Sequence, residues 1–307
     1  EEIVEFDLII FMGFTIDQKT LNQLKSRNSS TKFISMQCGN QFIENSIRSI
    51  HSYKKVDYFD EPLEGLESVW IIPPHKRNIT YMKTYYRTKS VKVVPYLWEP
   101  KFIDFQIKQF SGLSTEKEFY DINKNNVVIL EPNLSLLKNC ILPLSIVENF
   151  ERQFPNILGS CNVIGGRHLV ENHYFMRLIL LMDIYRKRSN FLKMFSRKPF
   201  LESIISHGSI VISHQCLNDL NYLYFDALYL LLPLIHNSNT LSDFGYYYPE
   251  NDIEKATCQI NNALNNHTKN ISEYKYKVDS LLEKYSPYNL LNISEYAKLL
   301  DNVLGTT

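Results

Sequence analysis

Short apolar runs alternate with amphipathic stretches along most of the chain. Residues 3–11 are apolar and end ahead of Gly13; 16–24 carry helical spacing behind Asp17, a candidate N-cap. Residues 32–36 read as a strand, 41–51 as a helix, 68–72 (SVWII) as a strand closed by Pro73-Pro74, 78–87 as a helix and 91–95 (VKVVP) as a strand. The rhythm restarts at 127–130 (VVIL). A helix over 136–154 with a kink or boundary at Pro143, a strand at 161–164 and helices over 174–185 and 200–206 follow. A strand at 209–212 (SIVI), a helix over 222–231, a strand at 233–236 and helices over 253–267 and 271–285 complete the pattern. Alternation of apolar strands with helices predicts the α/β class with parallel sheets. The polar stretch 111–126 reads as a linker. The expected architecture is two Rossmann-like domains facing a cleft, over 1–120 and 121–285.

The length of 307 residues suits two ordinary domains, and 44% hydrophobic with 13% aromatic residues gives both a sizeable core. Lys+Arg and Asp+Glu balance at 33 each, which disfavours a nucleic-acid partner held through phosphates. Five scattered cysteines with no CxxC pair argue against a disulfide framework or zinc knuckle and place the chain in a reducing, cytoplasmic compartment. The acidic start lacks the basic residues of a secretory signal. The apolar block 228–235 contains Pro233 and is far short of the ~20 residues that span a bilayer, so a soluble protein is expected. A start at Glu1 rather than Met suggests a piece cut from a longer chain.

Ligands of open α/β sheets sit beyond the carboxyl ends of the strands. That draws attention to Gly13, Gly39, His75, Trp98, Asn133, Gly165, His214 and Asn237. In ILEPNLSLLKN, Lys138 follows a strand and sits near the start of the next expected helix. It reads either as a phosphate ligand beside the helix amides or as a solvated lysine. In SHQCLNDLNYLYFDALYLLLPLIHNS, the loop Asn218–Asn221 opens a helix that carries Asp226 among aromatic and aliphatic residues. Such a carboxylate needs hydrogen-bond donors: ribose hydroxyls, or a structural partner such as a backbone amide or Tyr hydroxyl. In SDFGYYYPENDIEKA, Asn251 or Asp252 is placed to cap a helix. No Walker loop, GxGxxG, HExxH or GxSxG motif is present, and no DxD-like metal anchor follows a strand.

These segments resemble the donor-binding domain of GT-B glycosyltransferases, and their wording is similar to that of a poorly characterised family of predicted GT-B proteins. Lys138 occupies the place of the phosphate-gripping cation, and Asn218 and Asp226 have the spacing of that fold's two acidic residues. Three positions depart from the pattern: Asn218 is uncharged, Asp226 is shorter than Glu, and Leu232 stands where a Gly usually precedes Pro233. The N-terminal half is also short for this fold.

The resemblance implies a metal-independent transferase, a hexosyltransferase or similar, moving sugar from a UDP- or GDP-type donor to a carbohydrate or glycoprotein acceptor. No cofactor is implied beyond that nucleotide-sugar substrate. It implies an acceptor-side domain over 1–120, a donor domain over 121–285 and a final helix, 286–307, crossing back to the first. It implies donor contacts from Asn133, Lys138, His214, Asn218, Asn221, Tyr222, Asp226 and Asn237, and a catalytic His75 near the transferred sugar. Two other readings stand beside it. Asn218 in place of an acid suits a non-catalytic sugar- or nucleotide-binding module. A local basic face at Lys76, Arg77, Lys83, Arg87 and Lys89 suits a DNA glucosyltransferase, which zero net charge disfavours.

Overall fold

The computed structural model describes residues 6–51, 62–109 and 125–306. The chain forms two compact units, Glu1–Leu97 with Tyr285–Thr307, and Trp98–Lys284.

In the first unit β1 (Leu8–Met12), β2 (Lys32–Gln37), β3 (Ser68–Ile71) and β4 (Val91–Val93) pair in that order, all parallel. Side chains alternate across a strand, so one sheet needs two covers. Phe33, Val69 and Ile71 pack with Leu21 of helix Gln18–Arg27 and Met82 of helix Ile79–Tyr85. Ile34, Trp70 and Val94 are covered instead by Tyr296, Leu299, Leu300 and Val303 of helix Leu290–Leu304. Those four positions recur at three- and four-residue intervals, which puts them on one helix face. The Tyr296 hydroxyl donates to the Pro95 carbonyl at 2.9 Å. Asp17 caps the first helix, accepting from the Thr20 amide at 2.7 Å.

The second unit carries β5 (Asn126–Ile129), β6 (Ser160–Ile164), β7 (Leu192–Phe195), β8 (Ile210–Ser213), β9 (Leu234–His236) and β10 (Tyr246–Tyr247). All pairings are parallel, in the order β10-β9-β8-β5-β6-β7. Counted from β5, one edge to the other runs third, second, first, fourth, fifth, sixth, the doubly wound Rossmann order. Val127, Ile129, Val163, Ile210 and Ile212 share a core with Leu144, Val147 and Phe150 of helix Ile141–Gln153 and Ala256 and Ile260 of helix Ile253–Asn266. At about 1.5–3 kcal/mol for each large side chain buried, this is the main stabilising term of the unit. The β1–β4 order never reverses, so among the described strands the one reversal lies between β5 and β8.

Several expectations are corrected. Pro73-Pro74 opens a 3-10 turn, Pro73–Asn78, and the helix expected over 78–87 runs only Ile79–Tyr85. The helix expected over 136–154 begins at Ile141, because 133–140 is a hook: Asn133 Oδ1 accepts from the Cys140 amide at 2.7 Å. Pro143 lies inside that helix's first turn, where its missing N–H costs nothing. The helix expected over 174–185 is two, His173–Ile179 and Asp183–Arg186. The Glu148 carboxylate caps the second through the Asp183 and Ile184 amides at 2.8 and 3.0 Å. β7 and β10 had no clear sequence signal: LKMF is only partly buried at a sheet edge, and β10 has two residues. The linker expected at 111–126 lies outside the described residues except for Asn125 and Asn126, and the strand expected at 3–11 begins at Leu8, its first three residues also lying outside. The glycine-like backbone before Pro233 belongs to Leu231 (φ 52), not Leu232. Burial of its side chain and a bond from His267 Nε2 to its carbonyl at 2.8 Å hold it there.

Candidate functional site

The strand-order reversal opens a crevice where the chain leaves β5 and β8 in opposite directions. Leu130-Glu131-Pro132 leaves β5, and His214-Gln215 leaves β8. Beside this reversal, a cavity of about 500 Å³ lies over the exits of β5, β6 and β7, within the range of sites that hold small ligands. The exits of β5 and β6 line it with Leu130, Glu131, Ile164 and Gly165; the exit of β7 adds Arg197, Lys198, Pro199 and Phe200, and Leu223 closes it. Gly165 has φ +87, and a Cβ there would lie 2.9 Å from the Glu131 carbonyl oxygen. Glycine therefore lets the two exits touch.

Glu131 is only 1% exposed. The Ser213 hydroxyl donates to Oε1, while Oε2 is buried with no hydrogen-bond partner among the described residues. Burial pushes its carboxyl up to about 7, against the opposing pull of the Ser213 bond, the Lys138 charge and the His214 amide. Lys138 reaches this point because its hook pairs antiparallel with Gln215, and the Cys216 amide donates to the Leu137 carbonyl at 2.9 Å.

On the β8 side, His214 is buried, with Nδ1 3.1 Å from the Tyr248 hydroxyl and Nε2 3.8 Å from Cys216 Sγ. Burial lowers it to about 4, so it is neutral at pH 7. Burial lowers His236 to about 4 as well, against the opposing pull of its bond to the Phe244 carbonyl. Nε2–H donates to the Phe244 carbonyl at 2.8 Å while Nδ1 accepts from the Ser238 amide at 3.1 Å, which fixes one tautomer.

Asn237 copies a backbone strand: Oδ1 accepts from the Gln215 amide and Nδ2 donates to the Gln215 carbonyl, each at 3.0 Å. Asn218 is buried and donates to Gln215 Oε1 at 2.6 Å, leaving the buried Gln215 Nε2 without a partner among the described residues. Asn221 caps helix Tyr222–Tyr229, accepting from the Leu223 amide at 3.3 Å. Tyr222 is exposed. Asp226 Oδ1 accepts from the Trp98 indole N–H at 2.9 Å, and burial raises its carboxyl to about 6.

The structure thus gathers Asn133, Lys138, His214, Asn218, Asn221 and Asn237 around the exits of β5, β8 and β9. Tyr222 and Asp226 follow on the next helix. The amides of Asn133, Asn221 and Asn237 are engaged by backbone, so these side chains shape the loops. His75 is buried in the turn after β3, in the other unit. The residues that sequence reasoning passed over are Glu131, Ser213 and Gln215, and Arg197-Lys198, which the unrecognised β7 delivers. An ionisable residue directly after an apolar strand was the available signal for Glu131. Among the described residues no cluster of three or more His, Cys, Asp or Glu could hold a metal ion, and no helix is long and apolar enough to cross a membrane. If Asn221 acts only as a cap, Asn221→Ala will lower unfolding stability by about 1 kcal/mol in urea and leave ligand affinity nearly unchanged.

Residues 1–300 match the profile of a family described as "Protein of unknown function (DUF2827)". The chain belongs to DUF2827. No curated protein sequence matches it. Among solved structures, this DUF2827 chain is similar to TarM of S. aureus, crystallised with Fondaparinux, alpha-GlcNAc-glycerol and UDP. The TM-score is 0.58 at 13% identity, covering 94% of this chain and 54% of TarM. The pneumococcal O-GlcNAc transferase GtfA, solved with UDP and GlcNAc, gives 0.56 at 11% identity over 97% of this chain and 57% of GtfA. A UDP-forming alpha,alpha-trehalose-phosphate synthase from Burkholderia xenovorans gives 0.57 at 12% identity over 93% of this chain and 77% of that enzyme. The DUF2827 chain therefore spans little more than half the length of TarM and GtfA. At these identities the likeness establishes the fold: α/β, with two Rossmann-like domains of the GT-B type.

Proposed function

We propose that this chain is a glycosyltransferase that binds a nucleotide-diphosphate sugar in the second unit and transfers its sugar to a carbohydrate or glycoprotein acceptor. The observation that carries the reading is the cavity over the exits of β5, β6 and β7, next to the β5/β8 reversal, with Arg197, Lys198 and Glu131 in its wall and the Lys138 charge acting on Glu131. The apolar slot between Leu130, Pro199 and Leu223 takes the base, and Asp226 takes ribose hydroxyls. Lys138 and the amides at the start of helix Tyr222–Tyr229 take the diphosphate. As the sugar leaves, negative charge grows on that diphosphate, and fixed donors lower the barrier without a metal. His75 takes the sugar-facing role that the resemblance assigns it. TarM and GtfA, solved with UDP, favour a UDP-sugar as the first donor to try.

A second reading, a non-catalytic binding module, is favoured by Asn218, whose uncharged side chain is buried against Gln215. Calorimetric titration with UDP- and GDP-sugars, followed by a transfer and hydrolysis assay, separates the two. The transferase reading expects binding and turnover, with Lys138→Ala weakening binding by roughly tenfold or more. Binding without turnover selects the module. A folded protein that binds no nucleotide sugar removes both.

A further inference from the structure

The second unit begins with a residue that none of the preceding roles uses. Trp98 is buried, and its ring lies against Phe225 and Tyr229, with centroids 6.0 and 5.4 Å away. Its indole N–H reaches Asp226 Oδ1 at 2.9 Å. The same segment makes a second anchor: the Tyr229 hydroxyl donates to Asp104 Oδ1 at 2.7 Å, from helix Lys101–Gln109. Among the described residues the indole bond is the one hydrogen bond to the Asp226 carboxylate, and Oδ2 accepts none.

We propose that Trp98 is a positioning residue for the nucleotide site, holding the Asp226 carboxylate by one oxygen so that the other is presented to vicinal hydroxyls of the donor's ribose. The inference rests on the glycosyltransferase reading above and specifies how its ribose contact is set. An aspartate is one methylene shorter than a glutamate and reaches less far from its helix. A rigid indole that fixes its rotamer offsets part of that loss by lowering the ordering cost of binding. The indole also stabilises the charged form: burial raises the Asp226 carboxyl to about 6, and the Trp98 bond lowers it. The charged and titratable side chains on the elements packed here are Lys101, Asp104 and Lys108 of Lys101–Gln109, Glu202 and His207 of helix Phe200–His207, and His236 of β9. None of them contributes to the shift, whose causes are burial and the indole bond.

The test uses UDP-glucose and GDP-mannose, whose diphosphate diesters do not titrate between pH 5 and 8. Affinity of the wild type should rise with pH through the Asp226 transition near 6. Trp98→Phe keeps the ring and loses the donor. It should weaken binding roughly fivefold at pH 6.5 and move the midpoint upward, and Asp226→Asn should remove the transition near 6 while leaving that of Glu131 near 7. Trp98→Phe binding at wild-type affinity with an unmoved midpoint, or binding more tightly, overturns the inference while the glycosyltransferase reading stands. A folded wild type that binds neither ligand removes that reading and the inference together. Should Trp98→Phe fail to fold, the indole ¹H–¹⁵N resonance of wild-type Trp98 decides. It must follow the Asp226 titration and shift on saturation with the ligand, and a static resonance overturns the inference.

Discussion

Glu131→Gln is expected to stabilise the chain by about 3 kcal/mol at pH 8 and to leave it nearly unchanged at pH 4. The unfolded carboxyl titrates near 4.5 and the folded one near 7. Below 4.5 both states hold the proton and the folded state bears no charge cost. As pH rises from 4.5 to 7 the unfolded chain releases the proton first, so wild-type stability falls. Gln keeps the shape and cannot ionise, and so escapes that loss. His214 and His236 act with the opposite sign. Each is pushed down to about 4, so their contribution is complete above about 6.5 and disappears as pH falls toward 4. The difference between the two proteins isolates Glu131, measured as urea midpoints from pH 4 to 8.5. Parallel curves would refute the assignment. A buried carboxylate whose ionisation opposes folding, at a strand-order reversal, is the pattern expected of a group held for binding rather than for the fold.

Gly165→Ala is the second large effect. A Cβ at φ +87 costs about 1–2 kcal/mol from left-handed strain. The approach of 2.9 Å to the Glu131 carbonyl oxygen adds about 1–2 kcal/mol, because backbone on both sides must move. The sum is a loss of about 2–4 kcal/mol, together with displacement of Glu131 from the cavity wall. Gly13→Ala is the control. Its φ of +70 carries the strain, but nothing lies within 4 Å of the added carbon, so only the strain of about 1–2 kcal/mol is expected. Equal losses in the two variants would mean that the β5–β6 contact is not tight. If UDP-glucose binds wild type, Gly165→Ala should also lose most of that affinity, whereas Gly13→Ala should not.

The α/β class was legible because strands such as Val127–Ile129 and Ile210–Ile212 are apolar on both faces, as parallel strands between helices must be. Asp17 and Asp252 were legible as caps because an N-cap is a local bond between a side chain and an amide three residues on. β7 escaped notice because an edge strand needs few apolar residues, and with it went Arg197 and Lys198. The partners of Glu131 and Asp226 lie 82 and 128 residues away in sequence, and no periodicity encodes pairings at that range. Residues 136–140 of the hook read as helix because Leu136 and Leu137 continue into the apolar spacing of the helix from Ile141, whereas Leu136 is exposed.

The helix that covers Ile34, Trp70 and Val94, Leu290–Leu304, follows Trp98–Lys284 in the chain, while the sheet beneath it precedes that stretch. On the ribosome, then, the sheet emerges first and waits with that greasy surface uncovered while all of Trp98–Lys284 is made. The stretch Trp98–Lys284 is continuous and can fold meanwhile. Removal of Leu290–Leu304 would leave Trp98–Lys284 intact and the sheet of the first unit open, a lesion that maps far from where its damage falls.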